Sequence, residues 1–102
     1  MLNSIAARKT EIAELCRRFH VRRLDLFGSA AGGAFDPARS DFDFLVEFDA
    51  DPQAMSLRTY VGLKEALETL LSRPVDLVEA GAVKNPYLLD SIERTRETVF
   101  AA

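Results

Sequence analysis

The sequence predicts a small α/β or α+β domain. Three observations carry that expectation. The periodic segments run helix, strand, turn, strand, helix, strand, helix, strand, an order that places a small sheet among helices. The chain has 102 residues, enough for one hydrophobic core and too few for two, so a single domain over 1–102 is expected. Its composition, 48% apolar and 28% charged, is that of an ordinary globular protein, neither disordered nor collagen-like.

The elements follow in order. Over the first twenty residues Leu2, Ile5, Ile12, Leu15, Cys16 and Phe19 recur at helical spacing, with Arg8, Lys9, Glu11, Glu14, Arg17 and Arg18 between them. Leu24-Asp25-Leu26-Phe27 reads as a strand stopped at Gly28. Gly32, Gly33 and Asp36-Pro37 mark a turn-rich connection, with one helical turn expected near Ser29. From Asp41 to Phe48 the alternation is that of a strand: Phe42, Phe44, Val46 and Phe48 share one face, and Asp41, Asp43, Leu45 and Glu47 the other.

A helix is expected over Ala54–Leu71, with Leu57, Tyr60, Val61, Lys64, Leu67 and Leu71 as its inner stripe. Pro74 closes it, and Val75-Asp76-Leu77-Val78-Glu79 is a third strand. Asn85-Pro86 is a helix start, a capping side chain followed by proline at the first helical position; that helix carries Tyr87, Leu88, Leu89 and Ile92. The β-formers around Val99 add an edge strand over Thr95–Phe100.

Bulk properties exclude several classes of function. The net charge of −3 and pI near 5.1 argue against a broad polyanion-binding surface, so nucleic acid is not expected as a direct ligand. The single cysteine, Cys16, cannot form an internal disulfide; it sits on an apolar helical stripe and reads as core. No apolar run approaches the ~20 residues that cross a bilayer. The polar residues Asn3, Arg8, Lys9 and Glu11 exclude a signal peptide, and a cytoplasmic location is expected. His20 has no ligand-spaced companion for zinc. Arg17, Arg18, His20, Arg22 and Arg23 form a basic cluster at the end of the first helix, where cations oppose the helix dipole; a role in binding RNA or a partner is the alternative. Asp49 and Asp51, next to Pro52, read as a helix-entry turn rather than as ligands.

The chemistry concentrates between Gly28 and Asp43. Asp41 and Asp43, two apart on a strand, project from one face with origins roughly 6.5–7 Å apart. Carboxylates that close repel unless a cation lies between them, and Mg²⁺ prefers oxygen ligands, one or two carboxylates plus substrate phosphates. A glycine ending a strand, followed by the small hydroxyl residue Ser29, lets backbone approach a phosphate closely. Ten residues separate Ser29 from Ser40, so the two features together place a phosphate cradle beside a cation site. Asp76, between Val75 and Leu77, is an acid inside an apolar strand, costly unless paired, exposed or metal-bound. If its strand neighbours the Asp41–Phe48 strand, three carboxylates cluster and two ions become possible, able to stabilise both oxygens of an in-line displacement at phosphorus.

Gly28-Ser29, the spacer, and Ser40-Asp41-Phe42-Asp43-Phe44-Leu45-Val46-Glu47-Phe48 resemble the signature of the minimal nucleotidyltransferases, small members of the DNA polymerase β-like superfamily. Pro74-Val75-Asp76-Leu77-Val78 is similar to the family's third-carboxylate strand, and Lys84-Asn85-Pro86-Tyr87-Leu88 extends the likeness. The resemblance implies a small mixed sheet packed with helices. It implies nucleotide-binding roles for Gly28, Ser29 and Ser40, and metal-binding, catalytic roles for Asp41, Asp43 and Asp76. It further implies ATP as substrate with Mg²⁺, two ions of it, as cofactor. The activity implied is transfer of AMP to a HEPN-domain ribonuclease toxin, for which the protein would be the antitoxin. Masking of that partner without catalysis, or transfer to a small molecule or RNA, are the alternatives. One departure stands out: where the family often has arginine then glycine after Gly-Ser, this chain has Ala30-Ala31-Gly32-Gly33, with Gly32 in the arginine's place.

Overall fold

The computed structural model describes residues 3–28, 31, 41–50 and 56–102. Two short helices, α1 (Asn3–Ala6) and α2 (Lys9–Arg18), replace the one expected over the first twenty residues. Strand β1 (Val21–Phe27) begins three residues before the expected start, and β2 (Phe42–Phe48) follows. Helix α3 (Leu57–Leu71) leads to β3 (Val75–Glu79), a single 3₁₀ turn over Ala80–Ala82, helix α4 (Pro86–Thr95) and β4 (Glu97–Ala101). The helical turn expected near Ser29 falls, Ala31 apart, outside the described residues, and the helix expected from Ala54 begins at Leu57, with Ser56 extended as its N-cap.

The four strands form one mixed sheet in the order β3-β2-β1-β4. β1 pairs antiparallel with both β2 and β4, whereas β2 and β3 run parallel, joined by α3 as crossover. Strand alternation divides the apolar residues between two faces. On one, Leu24, Leu26, Phe42, Phe44, Val46 and Leu77 are packed by Ile12 and Cys16 of α2 and Leu63 and Leu67 of α3. On the other, Phe27 and Leu45 pack beneath Ile92 of α4 in a smaller cluster. Burial of Cys16 pushes its thiol up to about 12, consistent with a core residue and not a reactive one. Among the described residues no helix is long and apolar enough to cross a membrane.

The inner stripe of α3 differs from the expected one. Leu67 is fully buried as expected, but Leu57 is 77% exposed and Val61 40%, and Leu63, outside the expected stripe, is fully buried. The helix is apolar over more than one stripe, and tertiary packing selects which is covered. Gly62 decides it: a Cβ there would lie 2.7 Å from Cε1 of Phe19, so the missing side chain lets the end of α2 close on α3. Side chains of α3 also cover the free edge of β3. Glu68 accepts the Val75 N–H at 3.0 Å, and the Tyr60 hydroxyl donates to the Leu77 carbonyl. Both contacts leave less unpaired backbone for another strand to join.

Candidate active site

The polar half of the second face carries the candidate site. β2 and β3 lie in a register that sets Asp43 directly beside Asp76, and across β1 the same row reaches Phe27. Asp41 precedes β2 by one residue. Asp41 and Asp76 are exposed, whereas Asp43 is half-buried. Asp43 and Asp76 are thus neighbours across β2 and β3, and Asp41 lies near enough to act on Asp43. The Asp43 carboxyl is pushed up to about 6, chiefly because burial penalises its charged form and further because Asp76 and Asp41 repel it.

Gly28 ends the row. Its φ of 74° lies in the left-handed region, which favours glycine. A Cβ at this position would stand 2.6 Å from Oδ2 of Asp43, nearer than side chains approach. The glycine thus admits the Asp43 carboxylate against the backbone. The Gly28 N–H is itself engaged, donating to the Thr95 hydroxyl at 2.9 Å. Ser29 and Ser40 lie outside the described residues.

These side chains suit a hard divalent cation. The donors are carboxylate oxygens only, and one is held in a charge state that a cation would relieve. Among the described residues no three metal-ligating side chains already converge on one point.

The sequence profile of the nucleotidyltransferase domain matches residues 9–99. The chain belongs to the nucleotidyltransferase family. It is accordingly an enzyme of the nucleotidyl-transferring class. The protein adenylyltransferase MntA of Thermococcus cleftensis is 40% identical to this nucleotidyltransferase over 81 residues, 79% of this chain and 75% of the relative. The solved structure of a candidate minimal nucleotidyltransferase superposes with a TM-score of 0.74 at 34% identity, covering 90% of this chain and 89% of that one. A chain from the structure of a tri-AMPylated Shewanella oneidensis HEPN toxin in complex with an MNT antitoxin shares the fold, with a TM-score of 0.67 at 20% identity over 96% of this chain and 73% of that one. The small mixed sheet packed with helices is the fold the resemblance implied.

Two features of the nucleotidyltransferase near the acids were not anticipated. Asp25, on the same face of β1, is only 1% exposed and fully ion-paired: Arg96 donates through Nε at 2.9 Å and through Nη2, and Arg23 through Nε at 3.1 Å. The reasoning that singled out Asp76, an acid inside an apolar strand, applies equally to Leu24-Asp25-Leu26, and there it marks a buried charge held by arginines. Thr95, at the end of α4, gives no sequence signal of its contact with Gly28.

Proposed function

We propose that this nucleotidyltransferase transfers AMP from ATP, with Mg²⁺, to a side-chain hydroxyl of a partner protein, a HEPN-domain toxin that it serves as antitoxin. The observation that carries the reading is the Asp43–Asp76 pair, in register on parallel strands beside Gly28, with the Asp43 anion disfavoured until a cation arrives. The MntA relative supports the choice of a protein acceptor, and the HEPN–MNT complex supports the class of partner.

In this mechanism Asp41, Asp43 and Asp76 would hold the cation, two ions of it in this reading, whose positive charge would offset that of the triphosphate. Gly28 keeps the backbone close to the Asp43 carboxylate, and Ser29 and Ser40 contact the phosphates. The acceptor oxygen bonds to the α-phosphorus, the bond to the β-phosphate oxygen breaks, and pyrophosphate leaves. Asp76, the more exposed of the paired acids, accepts the hydroxyl proton and passes it to water. Such a reaction depends strongly on positioning, worth up to ~7–11 kcal/mol in well-oriented systems, and a docked protein partner provides it.

The test is mass spectrometry of the HEPN partner after incubation with this protein, ATP and Mg²⁺. Added AMP is expected, and its loss is expected with Asp41→Asn/Asp43→Asn and with Asp76→Asn. A partner that is silenced yet unmodified would replace this reading with masking. Label on a small molecule or RNA alone would replace the acceptor.

A further inference from the structure

We infer that Thr95 is a positioning residue for the nucleotide, setting the Gly28 backbone against the Asp43 carboxylate. The inference rests on the proposed function, because it assigns Thr95 a task within that same site. Thr95 is the last residue of α4, 67 residues along the chain from Gly28, yet its hydroxyl bonds the residue that packs against the Asp43 carboxylate.

The geometry fixes the direction of both its hydrogen bonds. The Thr95 hydroxyl lies 2.7 Å from the Ser91 carbonyl, to which it donates, and 2.9 Å from the Gly28 nitrogen, from which it accepts. A hydroxyl has one proton, so donation to Ser91 leaves only lone pairs facing Gly28. Thr95 is held on both sides along the chain. Ile92 is buried against Phe27 and Leu45, and the Arg96 side chain clamps Asp25 on β1. The helix end is therefore fastened to the same strand whose last turn it steers.

Gly28 is the residue that this contact controls. Its positive φ and missing Cβ leave just enough room for Oδ2 of Asp43. A shift of Gly28 along the sheet would close that room or open it, moving the backbone relative to the Asp43 carboxylate. Because the Gly28 N–H is committed to Thr95, the amide serves the shape of the cradle rather than contact with a phosphate. Thr95 touches no reacting atom, so its effect runs through Gly28 alone. A misplacement of about 1 Å at a reacting centre can lower a rate roughly a hundredfold, which sets the scale expected here.

The experiment compares Thr95→Val, which removes the hydroxyl but keeps the shape, with Thr95→Ser, which keeps the hydroxyl. Amide hydrogen exchange at Gly28 is measured without nucleotide, and AMP transfer to the HEPN partner is measured with Mg²⁺ and ATP. Thr95→Val should speed Gly28 exchange roughly tenfold. It should also lower kcat roughly ten- to a hundredfold, with KM for ATP little changed. Thr95→Ser should restore both. Thr95→Ala supplies the same comparison if the valine variant does not fold. Wild-type transfer with an undiminished Thr95→Val kcat overturns this inference alone, as does a serine variant as impaired as the valine one. Wild-type protein that binds Mg²⁺ and ATP but modifies nothing overturns the proposed function and this role with it.

Discussion

Asp43 is asked to be charged in a place that resists charge. Its carboxyl is pushed up to about 6 in the folded chain, against 3.8 for an unperturbed aspartate, with burial the leading cause. Between those two pH values the folded state holds the proton and the unfolded state does not. Stability without metal therefore falls as pH rises through that window, and the penalty is fully present above it. Asp43→Asn should raise the melting temperature of the metal-free protein at neutral pH, and the difference from wild type should shrink through that window and vanish below 3.8. Thermal melts across that range check it, and an unchanged difference at all pH would remove ionisation as the cause. The three aspartates were legible because their spacing is a local property: two apart on a strand, and a third inside an apolar run. Asp25 with Arg96 and Gly28 with Thr95 were not, because these partners are 71 and 67 residues apart, and no local pattern announces a contact made only by folding.

Single elements were read best where a terminus carries its own chemistry. Asn85 caps α4 as its position before Pro86 implies, its side chain accepting the Tyr87 and Leu88 N–H groups at 2.8 and 3.4 Å. That side chain is exposed, so the cap is a local effect separable from the core. Asn85→Ala should lower stability by about 1 kcal/mol, while Asn85→Asp should retain most of it. Denaturant melts of the two variants decide between a cap and an incidental contact. Helix α3 was harder, since Leu57, Tyr60, Val61, Leu63, Leu67, Leu70 and Leu71 supply more than one apolar stripe. Which stripe turns inward is fixed by Phe19 against Gly62 and by Tyr60 and Glu68 reaching β3, all of them contacts between elements. The β2 and β3 strands, by contrast, were visible in outline because β2 alternates along most of its length and β3 is a short, largely apolar run closed off by Pro74.

For the whole molecule, ligand at the acids should fasten the fold. Mg²⁺ with ATP is expected to raise the melting temperature by preferential binding to the folded state, and ATP in EDTA much less. Equal shifts in both conditions would take the carboxylates out of the account. The sheet order has a consequence in time as well as in space. β1 lies between β2 and β4, so one of its edges waits for the end of the described chain. Asp25 emerges from the ribosome 71 residues ahead of the arginine that neutralises it. At roughly 5–20 residues per second that interval is about 4–14 s. Through those seconds the nascent chain has an acid at the centre of its sheet without Arg96, and a Gly28 turn without its anchor. Under the role proposed for Thr95, AMP transfer thus waits until α4 and β4 have docked, whatever the nascent chain already binds.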